Sequence, residues 1–197
     1  MKIVERLLGV EKRAQTFVLS TNVIEMRILF LTDDIVRIRA GFTGDFAEES
    51  YSLVMTAWED RMDEVLKGYR HRITPVDAVM TEDASKVVLQ GTKLKVVVQK
   101  DPFLLQIYDE EGTLLHEDIP YRGWLCDSNG RRIHTCVMEA EDDYYGFGER
   151  TGQINKRETF MQTAPGDCMG YNPEKTDALY KHIPFYLKLN EKTKKAV

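Results

Sequence analysis

The sequence is short of the features that mark secreted scaffolds, membrane proteins and nucleic-acid binders. It holds only three cysteines, Cys126, Cys136 and Cys168. An odd number without C-x-x-C spacing excludes a disulfide framework and a tetrathiolate zinc site, and the three read as buried or bystander thiols. No apolar run approaches the ~20 residues of a membrane helix. The first ten residues carry Glu5 and Arg6 where a signal core would need apolar side chains, so a cytoplasmic location is expected. A basic excess is also missing: 27 Lys and Arg stand against 32 Asp and Glu, a net charge of -5. That balance argues against nucleic acid and against a membrane surface as partners. There is no repeat period, low-complexity tract or charge block.

What is present is the composition of a globular protein, 43% hydrophobic and 30% charged, with β texture nearly throughout. Residues 16–42 alternate apolar and polar positions with β-branched and aromatic content, broken at Asp33 and Asp34. The same texture returns in residues 86–90, 94–98, 103–108 and 113–116. Between them lie Gly91-Thr92, Lys100-Asp101-Pro102 and Glu110-Glu111-Gly112, short turn sequences that predict antiparallel hairpins. Residues 127–132 read as another hairpin turn. Strands at this spacing predict a β-sandwich. One segment has helical period: Trp58, Met62, Val65, Leu66 and Tyr69 predict a short inserted helix, capped by Thr56, with its apolar stripe on a sheet. No internal domain boundary is evident. Near the end, residues 183–189 alternate like a strand, a polar turn follows, and Ala196-Val197 opens a returning strand that stops. This reads as the first part of a longer protein with its last hairpin truncated.

Motifs with unambiguous chemistry are scarce. Gly-Phe-Gly-Glu-Arg-Thr-Gly over residues 146–152 has the spacing G-x-G-x-x-x-G, follows an acidic stretch and precedes no helix, so dinucleotide binding is set aside. Its glycines predict a tight turn or bulge at a close backbone approach, tied together by Glu149 and Arg150. His71, His116, His134 and His182 show no metal-ligand spacing, and no nucleophile elbow or Walker sequence is present. Carboxylates are plentiful, but a glycosidase pair is defined by separation in space, and most read as solvated loop charge. Residues 161–173 combine Pro, Gly and Asn breaks with Met161, Met169 and Tyr171, which predicts an ordered loop with apolar anchors. Asp167 at its tip suits bidentate hydrogen bonding to vicinal sugar hydroxyls; a turn-capping aspartate accounts for the local sequence equally well.

Three segments together resemble the N-terminal domain of glycoside hydrolase family 31, the α-glucosidases and α-xylosidases. They are Tyr-Gly-Phe-Gly-Glu-Arg-Thr-Gly over residues 145–152 with Asn155-Lys156-Arg157, then Asp167-Cys168-Met169-Gly170-Tyr171, then Thr-Asp-Ala-Leu-Tyr-Lys-His-Ile-Pro-Phe-Tyr over residues 176–186. Upstream of Asp142 the likeness is one of texture. The resemblance implies an antiparallel β-sandwich of the galactose-mutarotase-like (supersandwich) type, followed beyond Val197 by a (β/α)8 barrel. In that family the nucleophile and the general acid/base are barrel aspartates, so no catalytic residue is expected in this chain. The N-terminal domain contributes a loop over the barrel mouth whose aspartate contacts the non-reducing-end sugar, and the matching position is Asp167. The chain departs from the family pattern where Gln162-Thr-Ala-Pro-Gly-Asp-Cys replaces an aromatic-Asn-Thr-Asp-Ala run, and where Ala178 stands for the usual Pro. These differences bear on pocket shape and leave glucose versus xylose preference open.

The expectation is therefore an all-β domain over residues 1–197 with one short inserted helix. It would be the non-catalytic part of a retaining α-glucosidase, inactive alone, acting with its barrel on an α-linked gluco-oligosaccharide and needing no cofactor or metal. An α-xylosidase of the same family and a stand-alone carbohydrate-binding module are the alternatives. A sugar mutarotase, which needs a histidine-based acid/base set, fits the scattered histidines least.

Overall fold

A computed structural model describes residues 1–44, 46–67, 70–164, 166–177 and 179–197. The described residues are all-β apart from one four-residue helix, and the chain folds as two compact units, Met1–Val137 and Met138–Val197. The first unit contains β1 (Lys2–Ile3), β2 (Leu7–Arg13), β3 (Thr16–Thr21), β4 (Glu25–Thr32), β5 (Ile35–Gly41), β6 (Met55–Thr56), α1 (Met62–Val65), β7 (His71–Arg72), β8 (Val79–Glu82), β9 (Lys86–Gln90), β10 (Lys95–Lys100), β11 (Phe103–Tyr108), β12 (Leu114–Glu117), β13 (Trp124–Cys126) and β14 (Arg132–His134). The second contains β15 (Asp142–Gly148), β16 (His182–Asn190) and β17 (Lys195–Ala196).

Alternation along the strands builds the sandwich of the first unit. One sheet has the order β2-β3-β4-β5 and the other β12-β11-β10-β9-β8, antiparallel throughout. On β4 the even positions Met26, Ile28 and Phe30 are buried, and register aligns them with residues of their neighbours: Leu19 and Ala40 flank Met26, Phe17 and Ile38 flank Ile28. The second sheet answers with rows Val87-Val98-Leu105 and Leu89-Val96-Ile107. These rows make one apolar cluster. Each fully buried Val, Leu, Ile or Phe contributes about 1.5–3 kcal/mol of transfer free energy, so the sheets adhere through these faces. The predicted turns at residues 91–92, 100–102, 110–112 and 127–132 all connect paired strands.

The predicted helix is mostly not one. Among the described residues only Met62–Val65 is helical, and Tyr69 lies outside them. Thr56 does not cap it: the N-cap position is Arg61, and Thr56 is a buried residue of the parallel β6–β7 pair. Nor does the apolar stripe pack as predicted, since Met62 is buried while Val65 and Leu66 are exposed. Polar pairing wins over apolar period here. Buried Arg70 donates to Asp60 at 2.5 Å and to Asp63 at 2.7 Å, and Arg72 donates to Asp63 Oδ2 at 2.5 Å. The Met62 amide donates to Asp60 and the Asp60 amide to Asp63, a reciprocal pair that fixes one turn and stops. Trp58 is held outside that turn by its Nε1–H bond to the Glu48 carbonyl at 2.7 Å and by the Arg37 guanidinium over its ring at 3.7 Å.

The Asp60 amide, with Arg72 and Arg70, holds the Asp63 carboxyl down at about 2 against the upward pull of burial. A carboxyl depressed below its unfolded value near 4 contributes stability that is complete above that value and is lost as pH falls toward 2. Urea unfolding followed by circular dichroism should therefore show stability declining between about pH 5 and pH 2. Asp63→Asn should be less stable at neutral pH and flatter across that window; an unchanged acid limb in the variant would contradict this assignment.

Candidate functional site

In the second unit, the motif glycines create a local reversal of backbone hand. β15 pairs with β16 in regular antiparallel register from Asp142↔Asn190 to Gly146↔Tyr186, then shifts before Gly148↔His182. Gly146, Phe147 and Gly148 all have positive φ, +110°, +69° and +83°. A Cβ at Gly146 would lie 2.8 Å from the Phe185 carbonyl oxygen, and one at Gly148 would lie 2.7 Å from the Ile183 nitrogen and collide with the Lys181 carbonyl. This is the predicted bulge, and glycine is required at both ends of it. Phe147 between them stacks on Tyr186, ring centroids 5.1 Å apart.

The bulge delivers Arg150. Its side chain is only 4% exposed, and its donors reach the first and third motif segments and residues 162–163 ahead of the second. Nε bonds the Phe147 carbonyl at 3.0 Å, Nη1 bonds the Gln162 carbonyl and Asp177 Oδ1, both at 2.7 Å, and Nη2 bonds Thr163 Oγ1 at 3.2 Å. Asp177 in turn accepts the Gln162 amide at 2.5 Å. The planar five-donor fork suits this task, as a lysine ammonium would not. Glu149 accepts the Lys181 amide at 3.1 Å, as the predicted tie.

Arg150 and Asp177 thus brace the start of the loop that carries Asp167. Asp167 is exposed, and its Oδ1 accepts the Tyr180 hydroxyl at 3.1 Å. The predicted apolar anchors behave differently from expectation. Met161 is half-buried, whereas Met169 and Tyr171 are exposed; the loop is held by polar bonds at its base.

Elsewhere in this unit, buried Lys156 donates to the Thr151 carbonyl at 2.6 Å and to the Gln153 carbonyl. Asn155 bonds the Tyr144 amide at 3.1 Å, and Arg157 donates to the Asp142 carbonyl at 2.6 Å. Buried Asp142 accepts from Asn190 at 2.9 Å, and Asn190 caps the turn leading into β17. The side chains of the Asn-Lys-Arg segment therefore bond backbone groups of residues 142–153.

In the first unit, sequence spacing missed a second gathering. Asp118, wholly buried, accepts from His116 Nε2 at 3.0 Å and His134 Nε2 at 2.8 Å on Oδ1, and from Trp124 Nε1–H at 2.6 Å on Oδ2. Burial pushes this carboxyl up, but the hydrogen bonds and charge of the two histidines outweigh it and hold Asp118 below the usual carboxylate range. The one local signal was His116-x-Asp118, which in extended chain puts both side chains on one face. A separate cavity of about 350 Å³ on the outer face of the β2-β3-β4-β5 sheet is lined by Arg27, Arg37, Arg39, Glu48 and Trp58. Its arginines are already engaged, Arg37 and Arg39 by Glu48 at 3.1 and 2.6 Å and Arg27 by Glu25 at 2.8 Å.

The sequence matches the family described as the glycosyl hydrolase 31 N-terminal galactose mutarotase-like domain over residues 25–197. The chain belongs to that family. It is 31% identical over 179 residues to "Alpha-glucosidase 2" of Bacillus thermoamyloliquefaciens, covering 87% of this chain and 20% of that protein. It is 30% identical over 117 residues to "Isomaltosyltransferase" of Sporosarcina globispora, covering 55% of this chain and 10% of that one. Against curated relatives the chain thus spans a fifth of their length or less. Among solved structures, a glycoside hydrolase 31 dextranase of Flavobacterium johnsoniae complexed with isomaltotriose shares the fold with a TM-score of 0.75 at 23% identity, over 95% of this chain and 22% of that one. As a glycoside hydrolase 31 N-terminal domain, the chain has the galactose-mutarotase-like sandwich expected from its three motifs.

Replacing Arg150 with Ala should remove the cation from Asp177 and release the base of the Asp167 loop, costing about 1–3 kcal/mol. Limited proteolysis should then cut within residues 161–171 sooner than in the parent chain, and Arg150→Lys should fall between the two. Cleavage unchanged in Arg150→Ala would contradict the bracing role.

Proposed function

We propose that this chain is the non-catalytic N-terminal domain of a retaining α-glucosidase that releases terminal α-linked glucose from oligosaccharides. The observation that carries the reading is the likeness to Alpha-glucosidase 2 over most of this chain and a fifth of that protein. Two features of the chain support it. β16 presents Ile183, Phe185, Tyr186 and Leu187 to solvent, an apolar surface of the kind that another domain covers. The Asp167 loop is braced by a buried arginine rather than left free, as suits a loop that must hold a carboxylate in place.

In this reading the cleavage chemistry belongs to two carboxyl groups of a following barrel, about 5–5.5 Å apart as retention requires. Asp167 binds the non-reducing-end sugar by accepting hydrogen bonds from vicinal hydroxyls, with Tyr180 orienting its carboxylate. A charged hydrogen bond of this type is worth about 1.5–3 kcal/mol, or roughly 10–100-fold in kcat/KM.

The test has two arms. The purified 197-residue chain should not turn over p-nitrophenyl α-glucoside, while the enzyme extended through its barrel should. In that enzyme Asp167→Asn should lower kcat/KM about 10–100-fold. Turnover by the chain alone, or an unaltered kcat/KM in the variant, would overturn the proposal. A higher kcat/KM for the α-xyloside than for the α-glucoside would replace glucosidase with xylosidase.

A further inference from the structure

We propose that His116, Asp118 and His134 bind one divalent transition-metal ion of the zinc class, through Nε2 of each imidazole and Oδ1 of the carboxylate. Each residue offers one ligand atom, and the three lie within 4.8 Å of one another. The donor chemistry selects the class. Two imidazoles and one carboxylate suit zinc, cobalt or nickel, whereas calcium and magnesium favour all-oxygen sets.

The spacing fits as well. Ligands about 2.0–2.1 Å from zinc at tetrahedral or square angles are themselves about 3 Å apart. The Nε2 atoms stand 3.0 and 2.8 Å from Asp118 Oδ1, so the ion can enter by replacing two hydrogen bonds with little movement of the rings. Each Nε2 now donates a proton to Oδ1. On binding, each imidazole keeps its proton on Nδ1 and Nε2 gives its lone pair to the metal, any imidazolium proton passing to solvent.

The surroundings are those of a held ligand set. Asp118 Oδ2 is fixed by Trp124 Nε1–H at 2.6 Å, leaving Oδ1 as the ligand, and such outer bonds orient metal-binding carboxylates. Trp124 also stacks on His134, ring centroids 4.0 Å apart. Gly123 closes the back of the site, since a Cβ there would lie 2.9 Å from Asp118 Cβ. The carboxylate is sealed, while the side chains of His116 and His134 are 20% and 36% exposed, which leaves an approach for the ion and for the waters that complete its shell. Bound there, the ion would cross-link β12 and the residue beyond it to β14, a stabilising role separate from sugar binding.

The test uses the whole chain after chelator treatment, titrated with zinc chloride by calorimetry and with cobalt chloride by visible absorption. The expected result is one zinc per chain with micromolar Kd, cobalt d–d bands of nitrogen and oxygen coordination, and a Tm raised by about 5–10 °C at free zinc ~100 times Kd. His134→Gln, at the most exposed ligand, should fold normally and weaken binding at least ~10-fold, about the loss expected for one ligand interaction. The double variant with His116→Gln should abolish it. Binding by the parent no tighter than by the double variant would overturn the proposal. So would a sulfur-to-cobalt charge-transfer band, which would place the ion on a cysteine.

Discussion

A charge taken out of water must be met by partners already in place, and that requirement organises this chain wherever its apolar core ends. The rows of Phe, Ile, Val and Leu between the two large sheets need only shape and alternation. The segments around them have no such freedom. Arg70 is buried because Asp60 and Asp63 reach it, Asp118 because two histidines and a tryptophan donate to it, and Arg150 because four acceptors surround its guanidinium. Removing one member of such a set leaves its partner buried and unmatched, which costs far more than the contact contributes. The polar groups therefore fix conformation in stretches with too little regular structure to fix it themselves.

The same requirement explains what could be read from the sequence. Strand alternation and hairpin turns are local, so Met26, Ile28 and Phe30 declare an inward face and Gly91-Thr92 declares a turn without knowledge of the rest. The spacing of Trp58, Met62, Val65 and Leu66 misleads because it registers apolar residues only. The decisive bonds run from Asp60 and Asp63 to Arg70 and Arg72, and nothing in a helical period records them. His134 is sixteen residues from Asp118 and reaches it through the β13–β14 pairing and the bridge of Asp118 to Cys136. That is topology, which pairwise spacing does not carry.

The family motifs behave in a related way. The glycines announce a bulge on their own chemistry, and the geometry of β15 and β16 requires it. Their connection to residues 162–163 and to Asp177 is visible only once the Arg150 side chain is placed. What resembles three separate signatures in sequence is one hydrogen-bonded assembly, and the motif residues are tied to one another more than to any one position within the loop they support.

The chain has only two tryptophans, and neither sits at the centre of the sandwich. Trp58 lies under the Arg37 guanidinium and Trp124 lies against the His134 ring. Intrinsic fluorescence is therefore a report on the two polar-locked regions of the first unit, one beside a cation and one beside an imidazole whose charge and ligation alter quenching. An emission change without a loss of β-sheet circular dichroism would mark local rearrangement, and the two optical signals together separate loosening of these locks from melting of the sheets.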